Sequence, residues 1–240
     1  MKKSFRYEDF QYEGEAPLLS RVPNGYGTAY YDCGDRFDGN WEDGKRVGHG
    51  VYTTKAGTKY HCYFVNDMPE GEGKIEFSNG TLVGKFHRNW YIDQGTFTFK
   101  NGSVYKGPLK KNLFEGEGEI TYANGNRYKG NFSGGARKGK GVFFGKPGDK
   151  YAIYSEAWTN DGPTGICTYF YLTDKGDIST KITGIIDTKT WLISGFGYAT
   201  YSNGEYEGNL VNNVRQGKGK YTFKTGEIQD GMWENGKFQG

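Results

Sequence analysis

The chain has 240 residues, a formal net charge of +3, and 40 Gly, 20 Tyr and 16 Phe. Gly at more than twice its usual share of roughly 7%, with Leu, Ile, Val and Met scarce, excludes a thick aliphatic core and leaves a thin layer of rings against glycine backbone. The charge is too small to point to nucleic acid, and no apolar run approaches the ~20 residues of a membrane helix. The basic start "MKKSFRYEDFQYEGE" lacks the apolar stretch of a signal peptide, so the sequence reads as cytoplasmic. Cys33, Cys62 and Cys167 are odd in number and far apart, which suits reduced thiols better than a disulfide frame.

Residues 1–36 form an irregular cap or first repeat, whose hairpin loop is stretched by the apolar "APLL". This loop is expected to cover the first sheet edge, since open edges invite pairing. Residues 37–150 then repeat. "FDGNWEDGKRVGHGVYTTKAG" begins at Phe37, and further copies begin at Tyr60, Leu82, Tyr105 and Tyr128, spaced 23, 22, 23 and 23 residues apart. Each copy alternates with a period of two, which predicts strands. A short run rich in Gly, Asn, Asp and Lys between the two strands of a copy predicts a hairpin. "NG" pairs at Asn79-Gly80, Asn101-Gly102, Asn124-Gly125 and Asn203-Gly204 are expected to turn the chain into the next copy. Tyr128, Gly130 and Phe132 share one face, as do Gly139, Gly141 and Phe143. A Gly within a strand weakens it by roughly 0.5–1 kcal/mol, but a ring lying over the bare backbone offsets that. No hairpin of this kind stands alone, so stacking on neighbours must complete the layer.

From residue 151 to 194 the rhythm loosens. "AWTNDGPTG" is still hairpin-like, but the Gly pair is delayed to Gly195 and Gly197. Degenerate repeats with a local bend are the favoured reading, against a plain bend or a place where a partner adds on. Residues 195–240 resume the pattern with "YEGNLVNNVRQGKGKYTFKTG" from Tyr206. The last partial copy leaves an edge that would permit end-to-end association of copies of the chain.

The rhythm Y-x-G-x-W, G-K-x-x-G-x-G, N-G resembles MORN (membrane occupation and recognition nexus) repeats over some four-fifths of the chain. The resemblance implies an all-β, elongated, single-layer antiparallel sheet of stacked β-hairpins, often with no catalytic part. Some enzymes carry such repeats beside a catalytic domain, but here the repeats consume nearly the whole chain. "GGARKGKG" spells almost a phosphate-binding loop, yet it occupies the same phase as "GKRVGHG" and "VRQGKG", and Gly141 stands where a hydroxyl would hold magnesium. His49, His61 and His87 lack metal-ligand spacing. No catalytic residue, metal or cofactor is therefore expected.

A non-catalytic scaffold for protein partners is the first functional expectation. Trp41, Phe64, Phe86, Phe132 and Trp233 are the candidate rings of a trough for a helix or extended peptide. Trp90 and Tyr91 are candidate loop contacts, and Glu72, Glu117 and Glu207 would set the register of a basic partner. The resemblance implies a cytoskeletal, ciliary or cortical setting. The alternative is a peripheral adaptor for anionic phospholipids. Residues 101–150 carry ten basic and four acidic side chains, and Lys106, Lys110, Lys111, Lys129, Arg137, Lys138 and Lys140 would face the membrane at about 1 kcal/mol each. A solvated polar face that keeps an aromatic sheet soluble accounts for the same charges.

Overall fold

The computed structural model describes residues 2–240. These form an all-β, 23-stranded antiparallel sheet, with no helix among the described residues. The chain divides into two compact units, Met1–Leu113 and Phe114–Gly240.

In each unit a row of small residues runs across the strands, partner to partner. In the first it passes through Gly14, Gly27, Gly39, Gly50 and Cys62, and then through Gly73, Gly84, Gly95 and Gly107. In the second it begins at Gly118, Gly130 and Gly141 and ends at Gly197, Gly208, Gly219 and Gly231. Between them, Ser155, Cys167 and Gly184 carry the row through the irregular segment. The strands Tyr151–Thr159, Ile166–Leu172, Ile178–Ile186 and Ile193–Tyr201 thus keep the repeat's register although the sequence has lost Y-x-G. The side chains that take over at the row, a hydroxyl and a thiol, are the smallest after Gly and Ala.

The row is the floor for the rings. Tyr12, Phe37, Tyr128 and Tyr206 lie at 0–1% exposure over it. A Cβ added at Gly27, Gly50, Gly141 or Gly219 would stand 2.2–2.5 Å from the ring above. The G-x-G pairs, however, divide their labour. The second Gly is the floor. The first, as at Gly139 and Gly217, sits at φ +78° and +72° with nothing closer than 3.7 Å to an added Cβ. There the strand bulges, and the left-handed backbone is what requires Gly. Gly139 and Gly141 therefore do not share a role, contrary to a plain period-two reading.

The NG pairs also divide. Gly102 and Gly125 have φ +88° in turns. Gly80 and Gly204 instead open strands and floor the rings of Phe97 and Tyr221. Asn79 and Asn203 still sit in two-residue turns, closed by the pairs Phe77–Gly80 and Tyr201–Gly204, while further tight hairpin turns lie at Asn66–Asp67, Lys111–Asn112, Asn160–Asp161 and Asn212–Asn213. Both residues of each of these further turns have positive φ, as a type I′ turn demands. The "APLL" loop does not bury its leucines: Leu18 and Leu19 are 80% and 99% exposed. It is held by its backbone, with Lys3 Nζ donating to the carbonyls of Pro17 and Leu18.

Candidate functional site

The buried face is stitched by polar atoms of its own rings. The hydroxyls of Tyr12, Tyr105, Tyr128 and Tyr206 each donate to the carbonyl three residues on, at 2.7, 2.7, 3.2 and 2.8 Å. The indole N–H groups of Trp41, Trp158 and Trp233 donate to the glycine-row carbonyls of Gly27, Gly141 and Gly219 at 3.4, 3.0 and 2.9 Å. Trp158→Phe leaves the buried Gly141 carbonyl without that donor and is expected to cost about 2 kcal/mol in denaturant unfolding.

Burial pushes the phenols of Tyr12 and Tyr128 up to about 12. Unfolded tyrosine titrates near about 10. The protonated ring is thus favoured by the fold, and its contribution is complete below about pH 10 and lost as pH rises toward about 12. Tyrosinate absorbance should accordingly lag behind free tyrosine and then rise together with unfolding.

The candidate trough rings are placed inside this layer. Trp41, Phe64, Phe86, Phe132 and Trp233 are all less than 5% exposed and are occupied by their neighbours. Glu72, Glu117 and Glu207 are exposed on the opposite face, because strand side chains alternate. The acids therefore do not flank the rings, as a single trough would need. Trp90 is half-buried and packs on Tyr52 and Tyr60 at 4.8 and 5.4 Å, while Tyr91 is exposed.

Among the basic residues, Lys106, Lys110, Lys111, Lys129, Lys138 and Lys140 are exposed, but Arg137 is only 9% exposed and cannot serve a membrane. In the second unit the lysines are also interleaved with acids. Lys129 is the cross-strand partner of Glu119, and Lys140 pairs with Glu156 at 3.4 Å.

Arg137 belongs to a recurring arrangement that the sequence reading missed. Its guanidinium lies over Tyr122, Tyr128, Trp158 and Trp191, at 5.7, 5.4, 4.8 and 5.7 Å. Asp161 in the next hairpin's turn accepts from its backbone N–H at 3.0 Å and its Nε at 3.2 Å. Arg46 repeats this in the first unit. It lies over Phe37, Tyr52, Phe64 and Trp90 at 5.5–5.7 Å, and Asp67 accepts from its N–H at 2.9 Å and Nε at 3.1 Å. Arg215 lies over Tyr201, Tyr206, Tyr221 and Trp233 at 5.2, 6.0, 5.1 and 4.3 Å. The signal in sequence was an Arg just before the G-x-G, followed by an Asp in the next hairpin loop.

On the face turned away from the rings, large exposed apolar side chains occur on the three neighbouring strands Ile166–Leu172, Ile178–Ile186 and Ile193–Tyr201. Ile166 and Ile185 are cross-strand partners and are 69% and 61% exposed. On the next strand Phe196 and Tyr198, each 54% exposed, stand edge to face at 5.5 Å. Among the described residues, no group of three or more His, Cys, Asp or Glu is placed to hold a metal ion.

A family model described as MORN repeat matches residues 37–59, 63–82, 94–104, 105–127, 128–150 and 206–228. A stretch of 93 residues, 38% of the chain, is 29% identical to an inactive protein tyrosine kinase, pTKL, of Plasmodium berghei (strain Anka). The chain spans only 7% of that protein's length. Among solved structures, a mutant of the TCP10 domain of Danio rerio CPAP aligns over 97% of this chain and 99% of that one, at 13% identity and a TM-score of 0.34. The G-box domain of the microcephaly protein CPAP aligns over 98% and 100%, at 11% identity and a TM-score of 0.26. Likenesses this distant do not inform function.

Proposed function

The chain belongs to the MORN repeat family, and on that footing we propose that it is a non-catalytic scaffold that binds a protein partner, in the cytoplasm and in a cytoskeletal, ciliary or cortical assembly as the family implies. The observation that carries this reading is the apolar row Ile166, Ile185, Phe196 and Tyr198. It spans three neighbouring strands on the face turned away from the buried rings, with each side chain more than half exposed. An isolated exposed apolar residue is ordinary, whereas a contiguous set rimmed by polar residues marks an interaction surface. The buried rings support the reading indirectly, since they hold the sheet together and leave binding to its outer surface. The phospholipid alternative is weakened by the burial of Arg137 and by the acids among the remaining lysines.

Crosslinking of the native complex tests the proposal. Crosslinks are expected to concentrate on strands 166–172, 178–186 and 193–201. Ile166→Asp combined with Phe196→Asp should abolish capture of the partner while leaving the unfolding midpoint nearly unchanged, because both side chains are already solvated. Co-flotation with anionic vesicles that disappears in ~0.5 M salt, with no stoichiometric protein recovered, would favour the lipid alternative instead.

A further inference from the structure

The loops 88–91 and 187–192 are longer than the tight turns at Asn66–Asp67, Asn160–Asp161 and Asn212–Asn213, and each sends an indole back along the ring face. Trp191 reaches over Trp158 of the adjoining hairpin, at 5.6 Å, to Phe143 and the Arg137 guanidinium of the hairpin before it, at 5.2 and 5.7 Å. Trp90 does the same over Tyr60, at 5.4 Å, to Tyr52 and the Arg46 guanidinium, at 4.8 and 5.6 Å. The hairpin that follows clasps the base of each loop. Asn213 accepts from the Ile193 N–H at 2.7 Å, and Asn112 from the Ile92 N–H at 2.7 Å. Each loop is thus a strap that ties together hairpins which do not adjoin. The 187–192 strap is also closed on itself. Asp187 Oδ1 accepts from the backbone N–H groups of Lys189 and Thr190 at 2.9 and 2.8 Å, and the Trp191 N–H donates to the Asp187 carbonyl at 2.8 Å. Trp191 holds φ +57°, a left-handed backbone that a bulky residue rarely adopts, so the surrounding contacts and not local preference keep it there.

We propose that Trp191 is a positioning residue for the outer apolar row, and that its strap sets the twist of the strands which carry Ile166, Ile185, Phe196 and Tyr198. The proposal rests on the scaffold reading and names the element that shapes that docking site. Two observations carry it. The strap is anchored at Arg137 on strand Ala136–Phe144 and clasped by Asn213 just after strand Gly204–Val211, so its attachments bracket the three strands of the row. The strap is itself the turn between two of those strands, Ile178–Ile186 and Ile193–Tyr201. All the strands belong to one sheet, so no separate layer packs on the ring face to fix its twist. The rotation between neighbouring strands, ordinarily about 20–25°, is left to the side chains that tie that face. Alternate side chains leave one backbone in opposite directions. A strap that holds the strands on the ring side therefore holds the spacing of the row on the other.

Nitroxide labels on Lys140→Cys and Thr200→Cys, in a Cys33→Ser background of the full chain, read the spread of the strands from their exposed face. The distance between the labels is expected to be narrowly distributed in the parent chain, and to shift and broaden in Trp191→Ala. Trp191→Phe, which keeps a ring over Arg137, should restore the narrow distribution. Trp158→Phe lowers stability but spares the strap, and it should leave the distance unchanged, which separates positioning from loss of stability. Should Trp191→Ala fail to fold, Asp187→Ala loosens the loop from an exposed position and is expected to broaden the distribution likewise. In the native complex, crosslinks to strands 166–172 and 193–201 should be lost in Trp191→Ala and kept in Trp90→Ala, whose strap lies in the first unit. A label distance unchanged in both Trp191→Ala and Asp187→Ala would overturn the inference and leave the scaffold reading intact. So would a shifted distance with the crosslinks retained, since the strap would then shape the sheet without serving the row. Retention of the crosslinks by the chain carrying Ile166→Asp and Phe196→Asp would instead refute the row as the docking site, whatever the labels report.

Discussion

Gly219→Ala is expected to destabilise the second unit by about 3 kcal/mol or more. A Cβ there would stand 2.2 Å from the hydroxyl of Tyr206 and 2.5 Å from the adjoining ring carbon. The ring has nowhere to go. It is 1% exposed, its hydroxyl is bound to the Asn209 carbonyl, and Trp233 stands edge-on to it at 5.5 Å. Overpacking of a well-filled core costs about 1–3 kcal/mol, and expelling the ring would forfeit burial worth about as much again. Gly226→Ala is the matched control. That backbone is left-handed, at φ +89°, with nothing within 4 Å of an added Cβ, so it should cost only the about 1–2 kcal/mol of left-handed backbone. Denaturant unfolding followed by tryptophan fluorescence compares the two. Equal costs would mean that the glycine row is not a floor for the rings.

Arg137→Ala is expected to cost about 3 kcal/mol. The substitution removes a nearly buried cation from four ring faces, where a desolvated cation–π contact is worth about 2 kcal/mol or more. It also takes the Nε donor from Asp161, which keeps only the backbone N–H of residue 137, and opens a cavity between Trp158 and Trp191. Asp161 itself is 60% exposed, so water compensates for part of its loss. That keeps the expected value at the lower end of the about 3–5 kcal/mol seen when one partner of a buried pair is deleted. Lys140→Ala, a few residues along the same strand, is exposed and should be nearly neutral. Hydrogen exchange should place the Arg137→Ala effect in strands 136–144 and 151–159. An effect no larger than that of Lys140→Ala would rule out the cage as a stabilising element.

Much of the architecture was legible in the residues. Hairpins, their phase and the pairing of rings with glycines follow from a period of two repeated every 22 or 23 positions. What was not legible were distinctions between residues that look alike. Gly139 and Gly141 are both glycines of one G-x-G, yet one is needed for its dihedral angle and the other for its missing Cβ. Asn101-Gly102 and Asn203-Gly204 are the same dipeptide, yet the glycine of one sits in the turn and that of the other opens a strand. Arg137 stood among surface lysines in sequence and is buried in the fold. The rings chosen for a trough, Trp41, Phe64, Phe86, Phe132 and Trp233, are buried within the ring layer, while Ile166 and Ile185 were hidden in a segment that looked irregular and Phe196 and Tyr198 at the start of the resumed repeats.

The sequence by itself determined the strand alternation, the repeat and the class of fold, because these depend on neighbours one or two residues away along an extended chain. Only the tertiary structure decided which cations are sealed. The carboxylate and indole that complete the Arg137 site come from later hairpins, 24 and 54 positions beyond it. Where those groups land is set by how successive hairpins register on one another, and no local pattern records it.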